Sequence, residues 1–217
     1  MSSPDPVQLA SLLCSKLCHD LLSPVGALSN GLELLADETD PEMRDKCFEL
    51  LDQSARISAD KLRFFRLAFG AAGGFGAAVD MAEPRALVDA LVSNNDRIRV
   101  EWALGVAKLP KGAVKVLLNF AQMGMDALVR GGTLAIGAEE RDGASEIVVR
   151  AGGPKIAFDE TIGHALDGQG ELTARTAPAF MLHELAKGAG GGVQWQKTAD
   201  ALLLGAVLPA GNDGMIG

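Results

Sequence analysis

The run Lys16-Leu17-Cys18-His19-Asp20-Leu21-Leu22-Ser23-Pro24-Val25-Gly26 sets an imidazole directly before a carboxylate and five residues before a proline. An adjacent carboxylate accepts a hydrogen bond from Nδ1 of the ring and fixes the tautomer whose Nε2 lone pair points outward, ready for nucleophilic or proton-transfer chemistry. A lone surface histidine more often only packs or solvates. Here Asp20 supplies the orienting acceptor. Pro24, inside a helical pattern, removes a backbone hydrogen bond at a cost of about 3 kcal/mol or a kink. Ser23, Pro24 and Gly26 thin the surface beside the ring, which leaves room for a partner.

The element that must position this pair is a long helix. From about Pro6 to Ala36 apolar residues recur at helical spacing, and Val7, Cys14, Leu17, Leu21, Val25, Leu28, Leu32 and Leu35 form one stripe at about 100° per residue. His19 lies nearly opposite, on a face shared with Ser15, Lys16, Ser23, Gly26, Asn30 and Glu33. Residues 37–41 read as a short turn with Asp40 as N-cap and Pro41 at the first helical position. From Glu42 to about Phe69, Met43, Cys47, Leu50, Leu51, Ser54, Ile57, Leu62, Phe65 and Leu67 give a second apolar face. So short a connection makes the two helices antiparallel neighbours. A two-helix hairpin cannot bury both faces alone, so a homodimer is expected.

Glycines crowd residues 70–78, weakening any helix and suiting a linker at 73–78 between a hairpin (1–72) and a second domain (79–217) of ordinary domain size. In that second part Glu83 to Asn94 reads as a helix, Arg97 to Leu104 as a strand, and Gly112 to Val129 as a long helix. Strands follow from Gly131 and over Glu146 to Arg150, then a helix from about Ala177 to Lys187, and strands at Gly192 to Gln196 and Ala201 to Leu208. This order predicts a mixed sheet covered by helices, and an α+β chain as a whole.

His19-Asp20-Leu21-Leu22-Ser23-Pro24-Val25 resembles the His-acidic-aliphatic-x-Ser/Thr-Pro-aliphatic motif of the dimerisation and histidine-phosphotransfer domain of sensor histidine kinases. The resemblance implies a phosphoryl group carried on the His19 ring, and a hairpin that forms a four-helix bundle on dimerisation. The second part is similar in order and spacing to the α/β sandwich of the kinase ATP-binding domain. It departs at the positions that hold nucleotide there. Asn119 matches the first of two helical asparagines, but Met123 stands at the second, and a thioether is a poor magnesium ligand. Ala151 replaces the adenine-binding aspartate, Lys155 a glycine of the same loop, and Thr176 and Pro178 two glycines of the phosphate loop; proline has no N–H to donate.

A phosphotransfer hairpin joined to a kinase-like domain without these residues resembles the histidine phosphotransferase family of alphaproteobacteria. That resemblance implies a dimeric relay protein that takes a phosphoryl group from the receiver domain of a hybrid histidine kinase (CckA-like) and passes it to response regulators (CtrA-like, CpdR-like). It implies no cofactor on this chain, with magnesium supplied by the receiver. His19 and Asp20 are the implied catalytic pair. Lys16 and Ser23, one turn either side, either touch phosphoryl oxygens or are simply solvated. Gly26 leaves space, and Leu12 and Leu22 are expected as exposed apolar contacts for the regulator. Arg56, Lys61, Arg63 and Arg66 face a phosphoryl group or an acidic partner, or form a solvated helix face.

A formal charge of -8 argues against nucleic acid as a direct partner. No run of about 18 apolar residues and no charged-then-apolar start signals a membrane span or export, and a cytoplasmic location is expected. Cys14, Cys18 and Cys47 are expected as buried reduced thiols, without a metal site. His164 and His183 are expected to be structural or solvated. Two rival readings are an active ATP-dependent kinase core and a non-catalytic dimeric adaptor that binds response regulators.

Overall fold

The computed structural model describes residues 4–70, 78–93 and 95–209. Two long helices, α1 (Pro6–Asp37) and α2 (Pro41–Ala68), form the antiparallel hairpin. The Asp5 carboxylate caps the first turn of α1 by accepting from the Val7 and Gln8 amides, and Asp40 caps α2 by accepting from Glu42 and Met43. Arg44 closes the other end of α1, its Nη1 donating to the carbonyls of Leu35 (3.2 Å) and Glu38 (2.7 Å). At Gly31 the helices approach so closely that an added Cβ would lie 2.9 Å from the Leu51 Cδ2 atom.

The face that α1 turns inward carries Leu17, Leu21, Pro24, Leu28, Gly31 and Leu35, with Pro24 and Gly31 buried and the leucines half-buried. Four members of the predicted stripe, Val7, Cys14, Val25 and Leu32, are exposed. They sit on one shoulder of that face, roughly 60–80° round the helix, and no further helix among the described residues covers them. Cys14 and Cys18 are therefore exposed thiols, against expectation, and Cys47 alone of the three is buried.

The rest of the chain is a two-layer sandwich. It comprises β1 (Ala78–Asp80), α3 (Ala82–Val92), β2 (Ile98–Leu104), β3 (Lys108–Pro110), α4 (Lys111–Ala127), β4 (Gly132–Arg141), β5 (Ala144–Gly152), α5 (Glu160–Leu166), α6 (Ala177–Gly188), β6 (Gly192–Lys197) and β7 (Ala201–Pro209). Five strands form one sheet in the order β2-β4-β5-β7-β6, with β2 and β4 parallel and the other pairs antiparallel. Alternation decides its faces: Leu134, Ile136, Ile147, Val149, Leu202 and Leu204 are buried under the helices, while Val148, Leu203 and Val207 lie on the open side. Strands β1 and β3 form a separate antiparallel pair, in which Ala78, placed in the linker by sequence, pairs with Pro110. The remainder of that linker, 73–77, lies outside the described residues.

The hairpin and sandwich share one interior. Phe64, Phe65, Leu67 and Ala68 at the end of α2 are buried in the same apolar cluster as α4 and the sheet. Each such large side chain contributes on the order of 1.5–3 kcal/mol when fully buried. Asn119, fully inside α4, adds a polar tie: its Nδ2 donates to the Ala68 carbonyl at 3.2 Å and to the Lys115 carbonyl at 2.9 Å.

Candidate phosphoacceptor site

His19 occupies the outward side of α1, opposite Leu17 and Leu21, and its side chain is 84% exposed. Asp20 is the hub of the site. Its Oδ1 lies 3.5 Å from His19 Nδ1, a long contact, and its Oδ2 takes a 2.8 Å ion pair from Lys16 Nζ one turn earlier. Both Lys16 and Asp20 keep little more than a quarter of their side-chain surface in water, so the pair is firmer than a freely solvated one. With Nδ1 facing a carboxylate, Nε2 is the nitrogen left toward solvent.

Ser23 and Leu22 are exposed, Leu22 at 68%. At Gly26 an added Cβ would meet nothing within 4 Å, so the surface beside the ring is open. Leu12, expected as a second exposed contact, is half-buried.

The basic residues of α2 do not form one cationic face. Arg56 pairs with Asp52 (2.8 Å), Arg63 with Asp60 (3.4 Å) and Arg66 with Glu83 (3.6 Å). Lys61 instead crosses the hairpin and donates from Nζ to the backbone carbonyl of Asp20 at 3.0 Å.

Behind this turn a cleft separates α1 from the sandwich, with Lys16, Asp20, Lys61, Gln122 and Asp126 on its walls. Asp126 is exposed on the outer side of α4, yet the protein packed round its carboxyl raises its pKa above the ordinary 3.8. The Gln122 hydrogen bond (2.8 Å), Lys16 and Lys61 pull the other way, and Asp20 adds to the rise.

The second cavity, about 200 Å³, lies where the resemblance would put a nucleotide; Met123, Phe158, Ile162 and Pro178 line it together with the polar Asn119, Asp126, Asp159 and Arg175. Asn119 is committed to the Ala68 carbonyl. Ala151 is buried on the inner face of β5 and Lys155 is exposed beyond that strand. Thr176 is buried, donating its hydroxyl to the Glu171 carbonyl at 2.7 Å and accepting from the Thr173 amide at 2.9 Å. Arg175 is paired with Asp159 at 3.1 Å. The Asp159 carboxyl is held below its ordinary value, first by the Thr161 amide and hydroxyl and then by Arg175. His183 donates from Nδ1 to the Leu166 carbonyl (3.0 Å), and His164 stands edge-on to Trp195, so both belong to the packing of α5 and α6. No helix among the described residues is long and apolar enough to cross a membrane.

Lys61 was not distinguished from its neighbours by sequence, though one signal pointed to it. A proline at position 24 leaves the carbonyl of residue 20 without its helical donor, and some other group must supply one.

A family model described as the histidine phosphotransferase C-terminal domain matches residues 81–201. Protein phosphotransferase ChpT of Brucella abortus (strain 2308) is 38% identical over 147 residues, 68% of this chain and 68% of that protein. The 1.7 Angstrom structure of a bacterial phosphotransferase superposes with a TM-score of 0.82 and 30% identity, over 94% of this chain and 98% of that one. By family, sequence and architecture together, this chain belongs to the histidine phosphotransferases of the ChpT type.

Proposed function

We propose that this protein is the histidine intermediate of a phosphorelay. His19 takes a phosphoryl group from the aspartyl phosphate of a receiver domain, of the kind a CckA-like hybrid kinase carries, and passes it to the receiver aspartate of CtrA-like or CpdR-like response regulators. The observation that carries the reading is the exposed His19 ring with Nδ1 turned to an anchored carboxylate and Nε2 turned to solvent.

The chemistry asks little of this chain. The Nε2 lone pair of the neutral ring attacks phosphorus as the bond from phosphorus to the aspartate oxygen breaks, and the receiver keeps the released carboxylate beside its own magnesium ion. The proton on Nδ1 stays where it is, and Asp20 stabilises the positive charge the ring gains. The second transfer is the reverse, onto another receiver. Lys16 holds Asp20 in place, Ser23 and Gly26 leave the approach open, and Leu22 gives the partner an apolar contact. The sandwich beside the hairpin extends the docking surface.

ATP has no place in this reading. The cavity at the nucleotide position, about 200 Å³, falls short of the roughly 300–1,000 Å³ usual for small-molecule sites. Its residues are spent on packing and internal hydrogen bonds. Val25, Leu32, Phe48 and Leu62 remain exposed on the hairpin, and a second copy would cover them in a four-helix bundle.

The test is to mix the protein with a phosphorylated receiver domain and magnesium. Acid-labile phosphate is expected on the protein, absent from His19→Ala, and no ATP is expected to bind in a parallel titration. Binding of the receiver without labelling would point to an adaptor, and labelling from ATP to a kinase; either result overturns the proposal.

A further inference from the structure

Pro24 lies inside α1 with no N–H to give. In an α-helix the amide of residue i serves the carbonyl of residue i−4, so the carbonyl deprived at this point is that of Asp20. The structure supplies a substitute. Lys61 Nζ, arriving from α2, donates to that carbonyl at 3.0 Å, while Lys61 itself is half-buried between the helices. Arg56, Arg63 and Arg66 of the same helix spend their charge on carboxylates near the surface. Asp20 is thus fixed at three points: Oδ2 by Lys16, Oδ1 against the His19 ring, and the carbonyl by Lys61.

We propose that Lys61 is a positioning residue for phosphoryl transfer at His19, acting as the donor that Pro24 cannot provide and so holding the reactive turn of α1 in register. The inference rests on the role proposed above for His19. An unfilled carbonyl at this turn would let the helix open where the proline ring already presses on it. The carboxylate that orients the ring would move with the backbone. Displacements of about 1 Å in a reacting group cost on the order of 10²-fold in rate, so a partial loosening is expected to show in the transfer step rather than in docking.

The dependence on Pro24 gives the test its discrimination. Lys61→Met, Lys61→Arg, Pro24→Ala and the double variant Pro24→Ala/Lys61→Met are compared in single-turnover transfer from a phosphorylated receiver, and again in thermal unfolding, which needs no phosphoryl donor. Lys61→Met is expected to lower the maximal transfer rate about tenfold with the half-saturating receiver concentration unchanged. Lys61→Arg keeps a donor and retains most of the rate. In the Pro24→Ala background the restored backbone N–H at position 24 serves Asp20, and adding Lys61→Met changes neither rate nor midpoint. Equal losses in both backgrounds would overturn the proposal, as would a loss confined to half-saturation, which would make Lys61 a docking charge. A parent protein that takes no phosphate overturns the phosphorelay reading instead, and the thermal cycle then decides the Lys61–Pro24 link by itself.

Discussion

The amide of Asn119 offers a measurable handle on how the hairpin is fixed to the sandwich. Its Nδ2 donates to the buried carbonyl of Ala68 at 3.2 Å and to that of Lys115 at 2.9 Å. The Lys115 carbonyl is also served by the ladder of α4 itself, whereas the Ala68 carbonyl lies in the last turn of α2, where helical donors run out. Asn119→Leu keeps the volume and withdraws the donor. Removing a partner from a buried carbonyl costs about 1–3 kcal/mol, and in a chain of this size each kcal/mol lowers the midpoint by about 2–4 °C. A fall of about 5 °C is therefore expected in a calorimetric or circular-dichroism melt. Asn119→Asp, which places a carboxylate against the same carbonyl, is expected to fall further at pH 7. Were Asn119 retained for a nucleotide-bound metal, the apo protein would be indifferent to its loss. A midpoint for Asn119→Leu within about 1 °C of the parent would refute the structural role.

Other outcomes follow from the same geometry. His19→Gln is expected to abolish labelling by a phosphorylated receiver yet leave stability within about 0.5 kcal/mol, because its side chain touches little but solvent and Asp20; urea unfolding checks this. Burial raises the Asp126 pKa above 3.8, so the folded state holds that proton longer than the unfolded chain, and stability falls as pH rises from there through the folded pKa. Asp126→Asn should accordingly melt higher than the parent at pH 7, with the difference closing below pH 3.8 in a pH series of melts. Leu62→Lys, on the exposed apolar shoulder of α2 that it shares with Phe48, is expected to shift sedimentation from dimer toward monomer.

Much of this architecture was legible because its signals are local. The Asp40-Pro41 cap, the 3.6-residue periodicity of α4 and the strand at Ala201 act over a few residues, and the helices and long strands fall within a few positions of where the spacing put them. Strands β1 and β3 were not, since three residues carry no readable period, and α5 is only seven residues long. The outward face of His19 followed from helical geometry alone. Its surroundings did not, because they are long-range: 41 residues separate Lys61 from Asp20, and 51 separate Asn119 from Ala68. The predicted stripe on α1 misjudged Val7, Cys14, Val25 and Leu32 for a related reason. Periodicity reports which residues are apolar on one side, but the position of the neighbouring helix decides which of them are covered.

The burial of Phe64, Phe65, Leu67 and Ala68 within the sandwich core gives the hairpin one clamped end and one free end. Local opening draws its free energy from the apolar surface it exposes, so amide exchange should be slowest in the last turns of α2, limited there by global unfolding, and faster toward Asp40. Lys61 lies one turn from the clamp, and Asp20 is tied to Lys61. The histidine is thus carried near the fulcrum rather than at the tip of a lever, where thermal bending displaces it least.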